Sequence, residues 1–227
     1  MFNELIRKIK GLYNEQQFPY RRYHKKKRCI FIHIPKVAGT SILEMLSEKK
    51  SIRRDHLPWY IYYMANRYYF NSAFKFAFVR NPWDRTLSAY CYLRAGGNRH
   101  CDMAMARIIS KFNSFDDFVI KGLGEGNFRN HLLFIPQSEF VINGNGKLAI
   151  DFLGKYENLK HDYAFVAKQL KIKGELCKKN NTIKKYKDYH DYYNEEKSIK
   201  IIGDIYKQDI RLFDYKYSAT NLRRDSL

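Results

Sequence analysis

Residues 29 to 46, CIFIHIPKVAGTSILEML, restrict the fold more than any other stretch of the chain. CIFIHI is too short for a buried helix and rich in β-branched and aromatic side chains, so it reads as a central strand closed by Pro35. TSILEMLSEKK follows with apolar residues at helical spacing. The pattern then repeats. FKFAFV, residues 74 to 79, runs into RNPWDRTLSAYCYLR, where Asn81 can cap a helix, Pro82 suits its first position and Asp84 its first turn. Two strand-to-helix units in succession predict an α/β fold with a central parallel sheet flanked by helices.

The flanks carry weaker signals. Phe2, Leu5, Ile6, Ile9, Leu12 and Tyr13 recur at helical spacing with Arg7, Lys8 and Lys10 between them. They predict a short amphipathic helix that docks on the core or makes peripheral contact with an anionic membrane surface. RRYHKKKR, residues 21 to 28, reads as a charged, solvated linker. FVINGNGKLAIDFLGKYENL predicts a strand, an Asn-Gly turn and another strand, and Asn194 to Phe213 is helical in pattern. The expected division is a basic N-terminal helix and linker over 1–28, one α/β domain over 29–217 and a tail over 218–227.

A chain of 227 residues that is 45% hydrophobic can bury one good core, which excludes wholesale disorder. Its 42 Lys plus Arg against 23 Asp plus Glu give a formal charge of +19, a field that favours partners bearing phosphate, sulfate or carboxylate. Abundant lysine, asparagine, isoleucine and tyrosine offer the plainer explanation of a compositionally biased, solvated surface. Cys29, Cys91, Cys101 and Cys177 form no C-x-x-C pair and fit a reducing compartment. No apolar run approaches the ~20 residues of a membrane span, and no signal-peptide core stands at the N-terminus; a cytoplasmic protein is expected.

PKVAGTS joins the carboxyl end of a strand to a helix, so N–H groups around Ala38, Gly39, Thr40 and Ser41 converge where the helix dipole favours an anion. Gly39 lets the backbone come close, and Lys36 adds a mobile charge at the mouth. The arrangement is P-loop-like within a three-layer fold, yet the lysine precedes the glycine and G-x-x-x-x-G-K-[ST] is absent. The second strand ends in Arg80, where a metal-dependent phosphoryl-transfer site would commonly place an acidic residue. An arginine there can bind a phosphate bidentately, and Ser88, a little over two turns into the next helix, can join it. Two anion sites and no obvious metal site match the donor 3′-phosphoadenosine 5′-phosphosulfate (PAPS).

IHIPKVAGTSI and FAFVRNPWDRTLSAY resemble the 5′-phosphosulfate loop and the 3′-phosphate motif of the sulfotransferase superfamily, specifically its carbohydrate branch and bacterial relatives. Weaker echoes in NHLLFIPQSEFV, DFLGKYENLKHDY and IYKQDIRLFDYKY extend the resemblance over residues 28 to 217. It implies PAPS as co-substrate, PAP as product and no metal. It also implies that Lys36, Ala38, Gly39, Thr40 and Ser41 hold the phosphosulfate and that Arg80 and Ser88 hold the 3′-phosphate, with Asn181 and Thr182 covering that end. Lys36 would stabilise charge on the bridging oxygen, and Arg85 would brace its surroundings.

Transfer to a hydroxyl needs a base, and a histidine titrates in the useful range. His24, His161 and His190 fall in polar stretches that suggest surface roles; His33 lies inside the first strand, where packing is the commoner outcome. His56 lies in the region that supplies the base in the resembling glycan enzymes, and His131 and His33 are the alternatives. Asp55 is a candidate to orient His56; Arg53, Arg54, His100, His131 and Gln137 are candidates for the acceptor. The expectation is transfer of a sulfuryl group from PAPS to a glycan hydroxyl of a bacterial envelope or capsular polysaccharide or its precursor, the acceptor being anionic on the strength of the basic field. The competing classes are a P-loop kinase using ATP and Mg²⁺ and a polyanion- or nucleic-acid-binding protein, although no nucleic-acid-binding motif is present.

Overall fold

A computed structural model describes residues 18–48, 54–97, 100–172, 186 and 188–217. They form two compact units. The first contains described residues 18–34, 38–48, 54–78 and 140–172; the second contains 35–37, 79–97, 100–139, 186 and 188–217.

The first unit is built on a three-stranded sheet of order β1 (Cys29–Ile32), β2 (Phe74–Val79), β3 (Phe152–Lys155). β1 and β2 run parallel in the register Cys29 opposite Phe74 through Ile32 opposite Ala77. All of β1 is buried, as is β2 from Lys75 onward, which is why both read as near-continuous apolar runs. Phe31 stacks across the pair on Phe76 with ring centroids 5.1 Å apart. The connection from β1 to β2 passes through helices α2 (Gly39–Ser47), α3 (Trp59–Ala65) and α4 (Arg67–Ser72). The α/β expectation is met.

Lys75 is a lysine inside a buried strand. Its ammonium is satisfied by the carbonyls of Phe70 (3.2 Å) and Ala73 (2.8 Å) at the end of α4, and by the Asp151 carboxylate at 2.9 Å.

Two expectations for this unit need correction. Residues 21–28 are not a solvated linker, because Arg22–Lys27 form a helix, α1, packed against β1 and α2. His24 Nδ1 accepts the Arg21 N–H at 2.7 Å and closes the first turn, while Arg28 ends the helix at φ 49°. Tyr23 and His24 are buried and stacked at 4.1 Å, so His24 has no surface role; burial pulls its pKa from 6.5 down to about 3. The hairpin expected after Phe140 is only an isolated antiparallel bridge, Ile142 to Leu148, around a turn closed by the Asn143 side chain. Ser138–Val141 is helical, and only the second expected strand joins the sheet.

The second unit is organised by α5 (Pro82–Arg94). Asn81 caps it by accepting the N–H groups of Trp83 (3.0 Å) and Asp84 (3.5 Å), with Pro82 at the first position as expected. Trp83, Leu87, Tyr90 and Leu93 from α5 share a core with Phe118, Phe134, Ile202 and Tyr206. The other elements of this unit are α6 (His100–Ile109), α7 (Phe115–Asp117) continuing as a π-helical stretch over Phe118–Glu125, α10 (Glu196–Ile205) and α11 (Lys207–Leu212). Between the units' sequence segments run α8 (Ser138–Val141) and, in the first unit, α9 (Leu159–Gln169) against β3. The expected helix over 194–213 is interrupted at Tyr206, whose hydroxyl donates to the Phe134 carbonyl at 2.7 Å. No described helix is long and apolar enough to cross a membrane.

Candidate active site

The turn between β1 and α2 is held in a backbone conformation that side chains disfavour. Lys36 and Ala38 both have positive φ, 69° and 64°, although neither is glycine. Each costs on the order of 1–2 kcal/mol, so the fold spends stability on the shape of this turn. Ala38 is the N-cap of α2 and accepts the Ser41 N–H at 3.1 Å, which leaves the first-turn N–H groups at the mouth of a nine-residue helix.

Gly39 is required for a reason the sequence hides. Its φ is not in the left-handed region, but a Cβ there would run into the edge of the His33 imidazole. His33 is a packed residue as expected, 4% exposed and stacked on Phe31 at 5.4 Å.

Within the same unit His56 lies with its ring 4.2 Å from that of His33, and its Nδ1 is 2.8 Å from the His33 carbonyl oxygen. A carbonyl only accepts, so Nδ1 carries the proton and the lone pair of the neutral ring sits on Nε2. That is the tautomer a general base needs. Asp55 is held by Arg21 through Nε at 2.8 Å and Nη2 at 2.6 Å. Arg54 reaches the loop, donating to Thr40 Oγ1 at 3.3 Å. Arg53, Asn181 and Thr182 lie outside the described residues.

In the second unit, Arg80 stands at the carboxyl end of β2 and is 3% exposed. Its Nε donates to Asp84 at 2.7 Å, one Nη to the Lys36 carbonyl at 3.1 Å and the other to the Tyr186 hydroxyl at 3.1 Å. Tyr186 in turn donates to Asp84 at 3.0 Å, and burial pushes its phenol pKa well up. The guanidinium therefore fixes the backbone of the loop lysine, and part of its charge is balanced by Asp84. Ser88 is half-buried on α5. One turn further along α5, the ring of Tyr92 lies beneath the Lys36 ammonium, 4.2 Å from nitrogen to centroid.

Gln137 is not an acceptor-binding residue. It is fully buried, and its amide oxygen accepts the Arg80 N–H at 2.9 Å while its nitrogen donates to the Arg80 carbonyl at 2.8 Å. The side chain thus acts as a surrogate peptide at the end of β2. Asp209, also fully buried, holds it by accepting the N–H groups of Gln137 (2.7 Å) and Ser138 (2.8 Å). Arg85 braces a neighbouring segment, as expected, through the carbonyls of Leu133 (3.3 Å) and Ile135 (2.7 Å).

His131 is half-buried, accepts the Leu133 N–H at 3.4 Å, and has its pKa lowered by burial against the opposing influence of Asp102. His100 begins α6 and is not in a loop; its side chain lies outside what the structure describes. Sequence reasoning missed Tyr92, Asp102, Tyr186 and Asp209. For Tyr92 the available signal was spacing, since it follows Ser88 by four residues and so shares its face of α5; Asp209 falls within the quoted segment IYKQDIRLFDYKY.

The profile described as "Sulfotransferase family" matches residues 21–216. The chain belongs to the sulfotransferase family, and sulfuryl transfer is the chemistry its class performs. It is also 32% identical over 125 residues to an uncharacterized protein of Archaeoglobus fulgidus, an alignment covering 55% of this chain and 89% of the relative. No solved structure gives a significant match.

Proposed function

We propose that the protein transfers the sulfuryl group of PAPS to a hydroxyl of a glycan, an envelope or capsular polysaccharide or its precursor in a bacterium, at the cytoplasmic side of the cell. The observation that carries this reading is the β1–α2 turn, where two left-handed non-glycine residues, Lys36 and Ala38, lead into the N-terminus of a helix in a chain of this family. Such a turn fits a multiply charged oxyanion.

The residues divide the work. Ala38, Gly39, Thr40 and Ser41, with Arg54 supporting Thr40, bind the phosphosulfate; Arg80, Ser88, Asn181 and Thr182 serve the 3′-phosphate end. His56 Nε2 takes the proton of the acceptor hydroxyl as its oxygen bonds to sulfur. The bond from sulfur to the bridging oxygen breaks, PAP leaves, and the Lys36 ammonium stabilises the charge arriving on that oxygen. Arg53, His100 and His131 remain the acceptor candidates, and the +19 charge suits an acidic glycan and peripheral contact with an anionic membrane.

The test combines binding with turnover. PAP is expected to raise the thermal midpoint where ATP with Mg²⁺ does not. His56→Ala should lower sulfate transfer from PAPS by about 10²–10⁴-fold while leaving the PAP shift intact. Full activity in that variant removes His56 from the mechanism. Stabilisation by ATP and Mg²⁺ alone, with phosphoryl transfer, makes the protein a kinase.

A further inference from the structure

The proposed mechanism asks the Lys36 ammonium to stand at one place, and its backbone alone does not put it there. The Lys36 peptide is pinned by its left-handed φ of 69° and by the Arg80 guanidinium on its carbonyl. Beyond that, a lysine has four freely rotating bonds. In the second unit the ammonium is received by the face of Tyr92 at 4.2 Å, within the range of a cation–π contact. The Tyr92 hydroxyl donates to the Asp102 carboxylate at 2.5 Å, and Asp102 is 9% exposed. A phenol that donates to an anion carries more electron density on its ring, which strengthens the attraction for a cation above the face. The ring itself rides on α5 between Leu93, fully buried, and Cys91, packed against the same core. A rigid helix thus presents an aromatic surface to the mobile charge.

We infer that Tyr92, held by Asp102, is a positioning residue that seats the Lys36 ammonium for the sulfuryl-transfer step. The inference rests on the proposed PAPS chemistry for its catalytic consequence, while the seat itself does not depend on it. Tyr92 acts through Lys36, so its loss affects the step in which charge develops on the leaving oxygen more than the binding of the donor.

The experiment uses the full chain with Tyr92→Leu, Tyr92→Phe, Tyr92→Trp and Asp102→Asn. Tyr92→Leu is expected to lower kcat by roughly 10- to 100-fold with the KM for PAPS changed by no more than about threefold. Tyr92→Trp, which keeps an aromatic face, should recover most of that loss. Tyr92→Phe and Asp102→Asn, which keep the ring and break its hydrogen bond, should fall between. Equal loss in all four, or a rise in KM with kcat unchanged, overturns the assignment.

The contact has its own readout. In protein labelled with ¹³C-lysine, the Lys36 ε-methylene signal, identified by its disappearance in Lys36→Arg, should be shifted upfield by the ring and return to the ordinary lysine position in Tyr92→Leu. An unshifted signal in the unsubstituted protein overturns the seat whatever the activity. A shifted signal in a protein that shows no PAPS-dependent transfer leaves the seat standing and removes the proposed function.

Discussion

Ala38 pays a conformational cost that glycine would not. Its φ of 64° and ψ of 16° lie in the left-handed region, where a Cβ crowds the following carbonyl oxygen. Ala38→Gly relieves that crowding but gains freedom in the unfolded chain, so a net stabilisation of about 0.5–1 kcal/mol is expected from urea unfolding midpoints. At the next position the sign reverses. Gly39 has no need of the left-handed region, yet a methyl group there meets His33, so Gly39 tolerates no side chain unless the histidine moves. The importance of this turn was legible from a lysine, a glycine and two hydroxyl residues between a strand and a helix. Which residue carries the strain was not, since φ at Lys36 and Ala38 is set by the pinning of the turn and leaves no mark on residue type.

Elements defined by local chemistry were readable, and those defined by distant partners were not. β2 coincides with FKFAFV, and α5 begins where Asn81 and Pro82 place it, because apolar run and cap lie within a few residues of each other. FVI at 140–142 has the side chains of a strand, but Asp209, 71 residues from Ser138, accepts the N–H groups that open α8 and commits Phe140 and Val141 to a helix. The same carboxylate steadies Gln137, whose amide completes the end of β2. Gln137→Ala removes the side-chain amide that pairs with the backbone N–H and C=O of buried Arg80. At about 1–3 kcal/mol for each, the expected loss is roughly 2–6 kcal/mol by chemical denaturation, together with faster hydrogen exchange at the Arg80 amide. An unchanged exchange rate there would show that the amide contact contributes nothing.

For the molecule as a whole, the α/β class and the sulfotransferase family were legible because two strand-to-helix motifs keep a spacing that composition alone does not produce. The buried character of α1 was not, because eight residues that are nearly all basic conceal one packed Tyr–His pair. That pair gives the stability a pH dependence of definite sign. With a folded pKa of about 3 against an ordinary 6.5, His24 is neutral in the folded state and takes up a proton on unfolding below 6.5. Its contribution is complete above pH 6.5 and is lost as the pH falls toward 3, and the lowered pKa of His131 acts in the same direction. Between pH 7 and pH 5 the loss from His24 amounts to about 2 kcal/mol. A comparison of urea unfolding at the two pH values should show a shallower dependence in His24→Phe, and equal slopes would mean that His24 is not the titrating group.

The pinned peptide of Lys36 also sets a tempo. With its carbonyl on Arg80 and Val37 beside it fully buried, the backbone of the turn is an anchored base, and the ammonium travels by rotating its own side chain. Such rotations take picoseconds to nanoseconds, whereas loop rearrangements run to microseconds. In the proposed mechanism the ammonium, seated on Tyr92, would follow a departing oxygen by side-chain rotation many times faster than any segment of chain opens or closes.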